Sequence, residues 1–393
     1  MKEVVIVSAV RTPVGTFLGS LSAVPAVKLG SIAIEAAINR AGIKTDQVEQ
    51  VIMGNVLTGG SGQAPARQAS IGAGIPAEIP CLTINKVCGS GLKAVQLAAN
   101  EIMLGNADII VAGGMESMSS APFALPRART GYRMAMPNAE IVDLMVKDGL
   151  WDPYNNSHMG GFADLCAKEK GFSREELDTF AAGSFKKALA AQEAGLFKDE
   201  IVPVEIPVKK STVTVDIDEN PGKVKFEKIP QLRPVFNKDG VTTAANASSI
   251  NDGSAAVVLM SAEKAKELGL TPMVKFTGYA EGCQEPQWFT IAPAVAMENV
   301  FKHTGLNTGD IDLFEINEAF AVVTKYAMRE FGIDEEKVNV NGGAVALGHP
   351  IGASGCRLLV TLVHAMKNKS AKRGLVTLCI GGGEANAMIV EAI

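Results

Sequence analysis

The feature that most constrains this chain is that it can be laid over itself. Residues 48–57 (VEQVIMGNVL) match 311–320 (IDLFEINEAF), each a strand-like run reaching an asparagine, Asn55 and Asn317. Residues 87–98 (VCGSGLKAVQLA) match 350–363 (PIGASGCRLLVTLV), each a turn of small residues opening a helical pattern. Residues 107–117 (ADIIVAGGMES) match 375–385 (LVTLCIGGGEA), each a strand running into Gly-Gly. Three matches in one order imply a duplicated domain, and packing two such copies as a pseudo-symmetric pair sets equivalent strand ends side by side.

Within each copy, apolar strand-like runs such as EVVIVSAVR and MVKFTGYAEG alternate with helical patterns such as KLGSIAIEAAINRAG and APAVAMENVFKHTG, several ending on glycine. Such alternation predicts an α/β fold with a largely parallel sheet covered by helices on both faces. Residues 337–348 (KVNVNGGAVALG) read as strand-rich. Aromatic residues are only 5% of the chain while hydrophobic residues reach 47%, so the core is expected to be aliphatic and tightly layered. Residues 119–249 are less regular and read as an inserted, mostly surface region able to cover a site. Residues 250–269 return to a strand and helix pattern that completes the first half.

Charge and cysteine usage exclude several classes. The formal net charge is −5 with no basic block, so nucleic acid is not expected as a partner. MKEVVIVSAV runs straight into a strand pattern, no leader is apparent, and no apolar run has the roughly 18–20 residues that cross a bilayer. The six cysteines (Cys81, Cys88, Cys166, Cys283, Cys356 and Cys379) are sparse and form no CxxC pair. Neither a disulfide scaffold nor a metal site is expected, and a reducing cytoplasm is the expected setting.

Four segments carry chemistry. In NKVCGSG, Cys88 falls at a predicted helix N-terminus, where the dipole and free N–H groups favour a thiolate; a small buried apolar role for this cysteine is an even alternative. GSGLKA also fits a loose dinucleotide pattern, but Asp108 precedes its strand where such a site needs an acid at the strand's end. His349, in ALGHPIGASG, stands in the turn that the duplication sets opposite Cys88, and a neutral imidazole there is placed to take a thiol proton. Cys379 precedes three glycines whose N–H groups suit an oxyanion, although by spacing alone a buried strand thiol is favoured. Asn317 is either a helix N-cap or an amide holding a water or carbonyl.

Together these segments resemble the thiolase family. NKVCGSG resembles its nucleophile motif, and NEAF (317–320), GHPIGASG (348–355) and CIGGG (379–383) resemble its other three active-site motifs. VRTPVGTFLG, GGMESMS, HMG and NASSINDGS extend the likeness end to end. Ketosynthases and hydroxymethylglutaryl-CoA synthases share the duplicated fold but lack the second cysteine. The resemblance implies two pseudo-symmetric βαβαβαββ halves in α/β/α/β/α layers. The halves are expected at 1–118 with 250–269 and at 270–393, and the inserted loop domain at 119–249.

It further implies that Cys88, activated by His349, takes the acyl group from an acyl-CoA. Cys379 then removes a proton from acetyl-CoA, and a water on Asn317 with His349 faces the enolate oxygen. The N–H groups of Cys88 and Gly381 face the tetrahedral intermediate. His158, Met159, Ser248 and Phe320 are implied at the CoA arm and acyl pocket. Lys223, Lys225 and Lys228 stand where the family's cover loop often has arginine, so Lys223 and Lys228 are the expected CoA contacts. No cofactor beyond CoA as substrate and product is implied.

The stretch SSAPFALPRARTGYRMAMPNAEIVDLMVKDGL resembles the acetoacetyl-CoA thiolase branch, in which it forms a tetramerisation loop. Glu384 and Ala385 depart from the family pattern, which has an apolar residue and a glycine there. A broader-chain 3-ketoacyl-CoA thiolase and a non-catalytic CoA-thioester binder are the alternatives; the four motif residues argue against the second.

Overall fold

A computed structural model describes residues 1–134, 138–209 and 211–393; residues 135–137 of the expected tetramerisation loop lie outside the described residues. Nine strands form one continuous sheet: β1 (Val4–Arg11), β2 (Gln50–Gly54), β3 (Cys81–Ile84), β4 (Ile109–Ser117), β5 (Asn251–Ser261), β6 (Val274–Cys283), β7 (Leu313–Ile316), β8 (Arg373–Ile380) and β9 (Glu384–Ala392). Their order is β7-β8-β9-β6-β1-β5-β4-β2-β3, and the short strand Gly15–Thr16 adds to β5.

The order is the same five-strand pattern written twice. In the first half β1–β5 and β5–β4 are antiparallel, and β4–β2 and β2–β3 are parallel. In the second, β6–β9 and β9–β8 are antiparallel and β8–β7 parallel. A single parallel bridge from Phe314 to Val338 stands for the fifth strand. The sheet is therefore mixed, not largely parallel. The reason is that each half ends in an antiparallel strand, β9 returning from β8 through the glycine turn 381–383 and β5 returning beside β4 after the long segment 118–250. In the sheet the halves pair where Val5 meets Lys275 and Ile6 meets Val274.

Residues 337–348 are mostly not strand. Asn339 (φ +45°) and Gly342 (φ +82°) turn the chain, and Ala344–Leu347 is one helical turn. The Asn339 amide replaces the missing strand neighbour by bonding both the N–H and the C=O of Ile316. The third self-match is also corrected. Parallel pairing sets Gly54 beside Gly114 and Ile316 beside Thr377. Because Asn55 and Asn317 come next, Glu116 is the counterpart of Cys379, and the two Gly-Gly pairs do not coincide.

Helices fill three layers. α1 (Ala26–Ala41) and α2 (Pro65–Gly72) cover the outer face of the first half. α3 (Ser90–Leu104) and, following α4–α7 in the chain, α8 (Ile351–Lys369) lie between the half-sheets. α6 (Ala292–Thr304) and α7 (Ala321–Phe331) cover the far face together with α4 (Met159–Lys170) and α5 (Arg174–Glu193). Every residue of α8 from Ile351 to Met366 is buried; each large aliphatic side chain there contributes roughly 1.5–3 kcal/mol.

α3 and α8 cross backbone to backbone. A Cβ on Gly91 would lie 2.8 Å from the Cys356 nitrogen, and one on Gly355 2.5 Å from that of Leu92. These glycines bring the two helix N-termini, and the turns before them, together.

Residues 119–249 are less superficial than their sequence implies. Phe162 and Cys166 of α4 and Phe180 of α5 share a core with Phe314, Ile316 and Phe320. Its exposed parts include the hairpin Val204–Val208/Ser211–Val215 and the loop around Phe123, Leu125 and Ile141.

Candidate active site

Cys88 sits at the end of a strained turn. Val87 has φ +45°, a conformation that β-branched residues avoid and that surrounding structure must impose. Ser90 imposes it: its hydroxyl donates to the Val87 carbonyl and accepts from the Lys86 N–H. The turn aims Cys88 along the start of α3, as the sequence implies. The electrostatic outcome differs from the helix-end argument. Burial pushes the Cys88 thiol up to about 12, against the Gly381 N–H and its own N–H, which pull it down. At rest Cys88 is a thiol and needs a base.

His349 lines the same cavity as Cys88. Its backbone N–H donates to Asn251 Oδ1 at 2.8 Å, and its Nδ1 lies 2.6 Å from Ser354 Oγ. The Ser354 hydroxyl donates to the Pro350 carbonyl at 2.8 Å, so Nδ1 carries the proton and donates to Ser354. Nε2 is left with its lone pair, 3.5 Å from Asn317 Nδ2. Burial first, and the charge of Arg357 second, push the imidazole down to about 3. It is neutral throughout the physiological range, and Nε2 is a base.

Cys379 lies near the end of β8, 1% exposed. Burial holds its thiol well above the ordinary range, and the proximity of Cys88 raises it further. Gly382 and Gly383 (φ +93° and +88°) make the turn beyond it, and Gly381 packs beside the Cys88 turn, where a Cβ on it would lie 3.6 Å from Val87 Cγ1. Asn317 is fully buried behind His349, and its Oδ1 has no protein partner; a group so placed is normally satisfied by water.

Cys88, His349, Cys379 and Gly381 meet at one cavity of about 690 Å3. His158, Met159, Ser248 and Phe320, expected from the sequence, line it as well. His158 caps α4 by accepting from the Gly160 N–H, and it stacks on Phe236 at 4.7 Å. Phe236 and Phe289 each meet Phe320 edge-on, at 6.1 and 6.2 Å. Lys223 stands at the rim, paired with Glu219 and donating to Thr16 Oγ1. Lys228 is exposed and outside the lining. It lies on the short helix Phe226–Gln231. Asn317 touches the site through His349 and does not itself line the cavity.

Sequence reasoning missed Ser354, Asn251 and Glu116. The buried Glu116 carboxylate accepts from Asn55 Nδ2 and from the N–H groups of Val56, Leu57 and Gly352. It thereby ties the start of α8 to the Asn55 turn. Ser354 was legible within GHPIGASG as a polar residue five positions after the histidine, one turn into the helix. Among the described residues no group of His, Cys, Asp and Glu is arranged to hold a metal ion, and no helix is long and apolar enough to cross a membrane.

Comparison with known proteins agrees with this arrangement. Residues 4–263 match the model for the thiolase N-terminal domain, and residues 270–392 that for the thiolase C-terminal domain. The chain is 56% identical to "Acetyl-CoA acetyltransferase" of Cupriavidus necator, covering all of both sequences. It is 51% identical to bovine "Acetyl-CoA acetyltransferase, mitochondrial", covering all of this chain and 92% of that one. It is 52% identical to "Acetyl-CoA acetyltransferase 2" of Arabidopsis thaliana, covering all of this chain and 98% of that one. With paired cysteines at one cavity of a twice-written five-strand fold, and family matches over nearly its whole length, the chain belongs to the thiolase family.

Proposed function

We propose that this protein is an acetyl-CoA C-acetyltransferase, joining two acetyl-CoA into acetoacetyl-CoA and CoA and running the reverse thiolysis. The observation that carries the reading is the meeting of two thiols, a neutral imidazole and the Gly381 N–H at one largely apolar cavity. The full-length relatives that carry this activity in their names support it.

In this reading His349 Nε2 takes the Cys88 proton as sulfur attacks the thioester carbon. The N–H groups of Cys88 and Gly381 hold the oxyanion, CoA leaves as its thiol with a proton from Cys379, and acetyl-Cys88, the His349 imidazolium and the Cys379 thiolate remain. Cys379 then takes a proton from the methyl group of the second acetyl-CoA. His349, with a water held by Asn317 Oδ1, stabilises the enolate oxygen. The enolate carbon attacks acetyl-Cys88 and releases the thiolate, which recovers a proton. Removing one oxyanion donor from such a site typically costs roughly 10²–10³ in rate.

Short acyl groups are favoured because Met159, Phe236, Phe289 and Phe320 crowd the cavity. A ketoacyl-CoA series of increasing chain length tests this, and equal kcat/KM along the series would overturn it. Acetoacetyl-CoA plus CoA, followed by loss of enolate absorbance, tests the activity itself. Cys88→Ser is expected to trap no labelled acetyl group. Cys379→Ala is expected to acetylate but to lose α-proton exchange; normal exchange by that variant removes Cys379 from the base role. A homotetramer and a cytoplasmic setting are part of the proposal. Phe123, Leu125 and Ile141, exposed on the loop before α4, support the first, and light scattering that returns a monomer overturns it. Cell fractionation tests the second.

A further inference from the structure

The two turns that meet at the cavity are each poorly determined by their own residues. The nucleophile turn holds Val87 at φ +45°, a strain that persists only if its flanks are held. The other turn is three consecutive glycines, the sequence with the most backbone freedom to lose on ordering. Yet the two turns are set against each other at one cavity: Gly381 and Cys88 both line it, and a Cβ on Gly381 would lie 3.6 Å from Val87 Cγ1.

The flanks of the two turns are tied to each other. Lys86, immediately before Val87, pairs with Glu384, immediately after Gly383. Glu384 is itself fixed by pairing with Ile380 on one side and Cys283 on the other. Glu281, one strand over, lies 3.3 Å from Lys86 and 3.4 Å from Lys93, and it accepts from the Tyr279 hydroxyl at 3.0 Å. Beyond Cys88, the Gly89 carbonyl accepts from Asn386 Nδ2 at 3.2 Å. Cys88 thus lies between two ties to β9, one ionic and one neutral. Neither Lys86 nor Glu384 lines the cavity, so neither touches substrate there.

We propose that Lys86 and Glu384 form a positioning clamp that holds Gly381 against the Cys88 turn and thereby sets the rate of acyl transfer to Cys88. The carboxylate at 384 supplies from outside the turn the order that the glycines lack. The pair is partly exposed, with side chains 22% and 37% accessible, so it contributes little to stability. Its loss therefore leaves the fold intact.

The proposal rests on the acetyltransferase reading, so its test includes a measurement that does not need turnover. Glu384→Gln, Lys86→Met and the double variant are compared with the parent protein in two assays. One is burst acetylation of Cys88 by labelled acetyl-CoA; the other is alkylation of Cys88 by iodoacetamide at fixed pH, located by mass spectrometry. Each single variant is expected to lose about three- to tenfold in both rates, since one lost hydrogen bond to a thiolate costs on the order of one pKa unit. KM for acetyl-CoA stays within about twofold, and the double variant is no slower than the slower single variant. Rates within twofold of the parent in both single variants overturn the clamp, as do losses that add in the double variant or that appear only in KM. A parent protein that alkylates but never acetylates would sink the acetyltransferase reading, and the alkylation comparison would still decide the clamp.

Discussion

Ser354→Ala isolates the tautomer of His349. Ser354 has one proton and two neighbours for it, the Pro350 carbonyl at 2.8 Å and His349 Nδ1 at 2.6 Å. With the hydroxyl donating to Pro350, the Nδ1–H donates to Ser354, and Nε2 is free to accept the Cys88 proton. Alanine removes the acceptor and leaves a buried N–H without a partner, at a cost of about 1–3 kcal/mol. The ring escapes that cost by moving its proton to Nε2, where it blocks the base. Either way the active tautomer loses about 1–3 kcal/mol, and acetylation of Cys88 is expected to slow by about 5- to 150-fold. Ser354 does not line the cavity, so KM for acetyl-CoA stays within about twofold. Rapid-quench acetylation with labelled acetyl-CoA gives the rate, and a thermal melt confirms that the variant is folded. A folded variant that acetylates within twofold of the parent would falsify the tautomer assignment, because it would mean that Nδ1 accepts at rest.

The rim lysines separate clearly. Lys223→Ala is expected to raise KM for CoA about three- to tenfold, the loss of a modest ionic contact, whereas Lys228→Ala changes it less than twofold; equal effects would refute the placement of the cover loop. Because the thiol is pushed up to about 12 and the imidazole down to about 3, neutral His349 acts on the neutral thiol throughout, and acetylation is expected to stay flat with pH from about 6 to 9, without a histidine step. A plateau entered with a midpoint near the ordinary histidine value would instead indicate a resting thiolate–imidazolium pair. An unfolded glutamate loses its proton near 4.5, but burial keeps Glu315 protonated up to about 8, with Arg357 offsetting part of the effect. The native state therefore holds an extra proton between those values, and stability falls as pH rises from about 5 to about 8. Urea unfolding across that window is expected to show a shallower fall for Glu315→Gln; an unchanged slope would show that Glu315 ionises normally.

Much of this molecule is legible in the sequence because its motifs are local. The turn before α3, the turn before α8 and the glycine run after β8 are each a few contiguous residues with distinctive composition. They converge because the chain is duplicated. What is not legible depends on residues far apart in the chain. The elevated Cys88 thiol comes from burial among residues far from it in the chain, such as Met118, Met145 and Ile351, which an argument from the local helix end cannot weigh. The strand sense of β5 and β9 depends on connections that alternation alone does not specify. Lys228 is expected at CoA through the resemblance of its loop, and nothing in the sequence alone shows that it stands outside the cavity lining. Lys86 and Glu384, nearly three hundred residues apart, carry no sequence signal that they meet.

The duplication also explains why the fold makes one site and not two. The crossing at Gly91 and Gly355 makes Cys88 the counterpart of Gly352, and Ser90 that of Ser354. Sheet register makes Asn55 the counterpart of Asn317, and Glu116 that of Cys379. One set holds two thiols beside a histidine. The other holds Glu116, with Asn55 Nδ2 and the Gly352 N–H donating to it. That second constellation is structural, and its object is the first: by gripping Gly352 it fixes the start of α8, three residues from His349. All four of the hydrogen bonds that Glu116 receives come from N–H donors, an arrangement that suits a carboxylate and not an amide, although burial pushes its carboxyl up to about 7. Glu116→Gln would turn an NH2 toward those donors. It is therefore expected to cost about 2–4 kcal/mol of stability and to misplace His349 while leaving the Cys88 turn in place. Iodoacetamide would then still find Cys88 at the parent's rate, whereas acetylation would fall. Equal losses in both reactions would mean that the two constellations move as one body and that no division of labour exists between them.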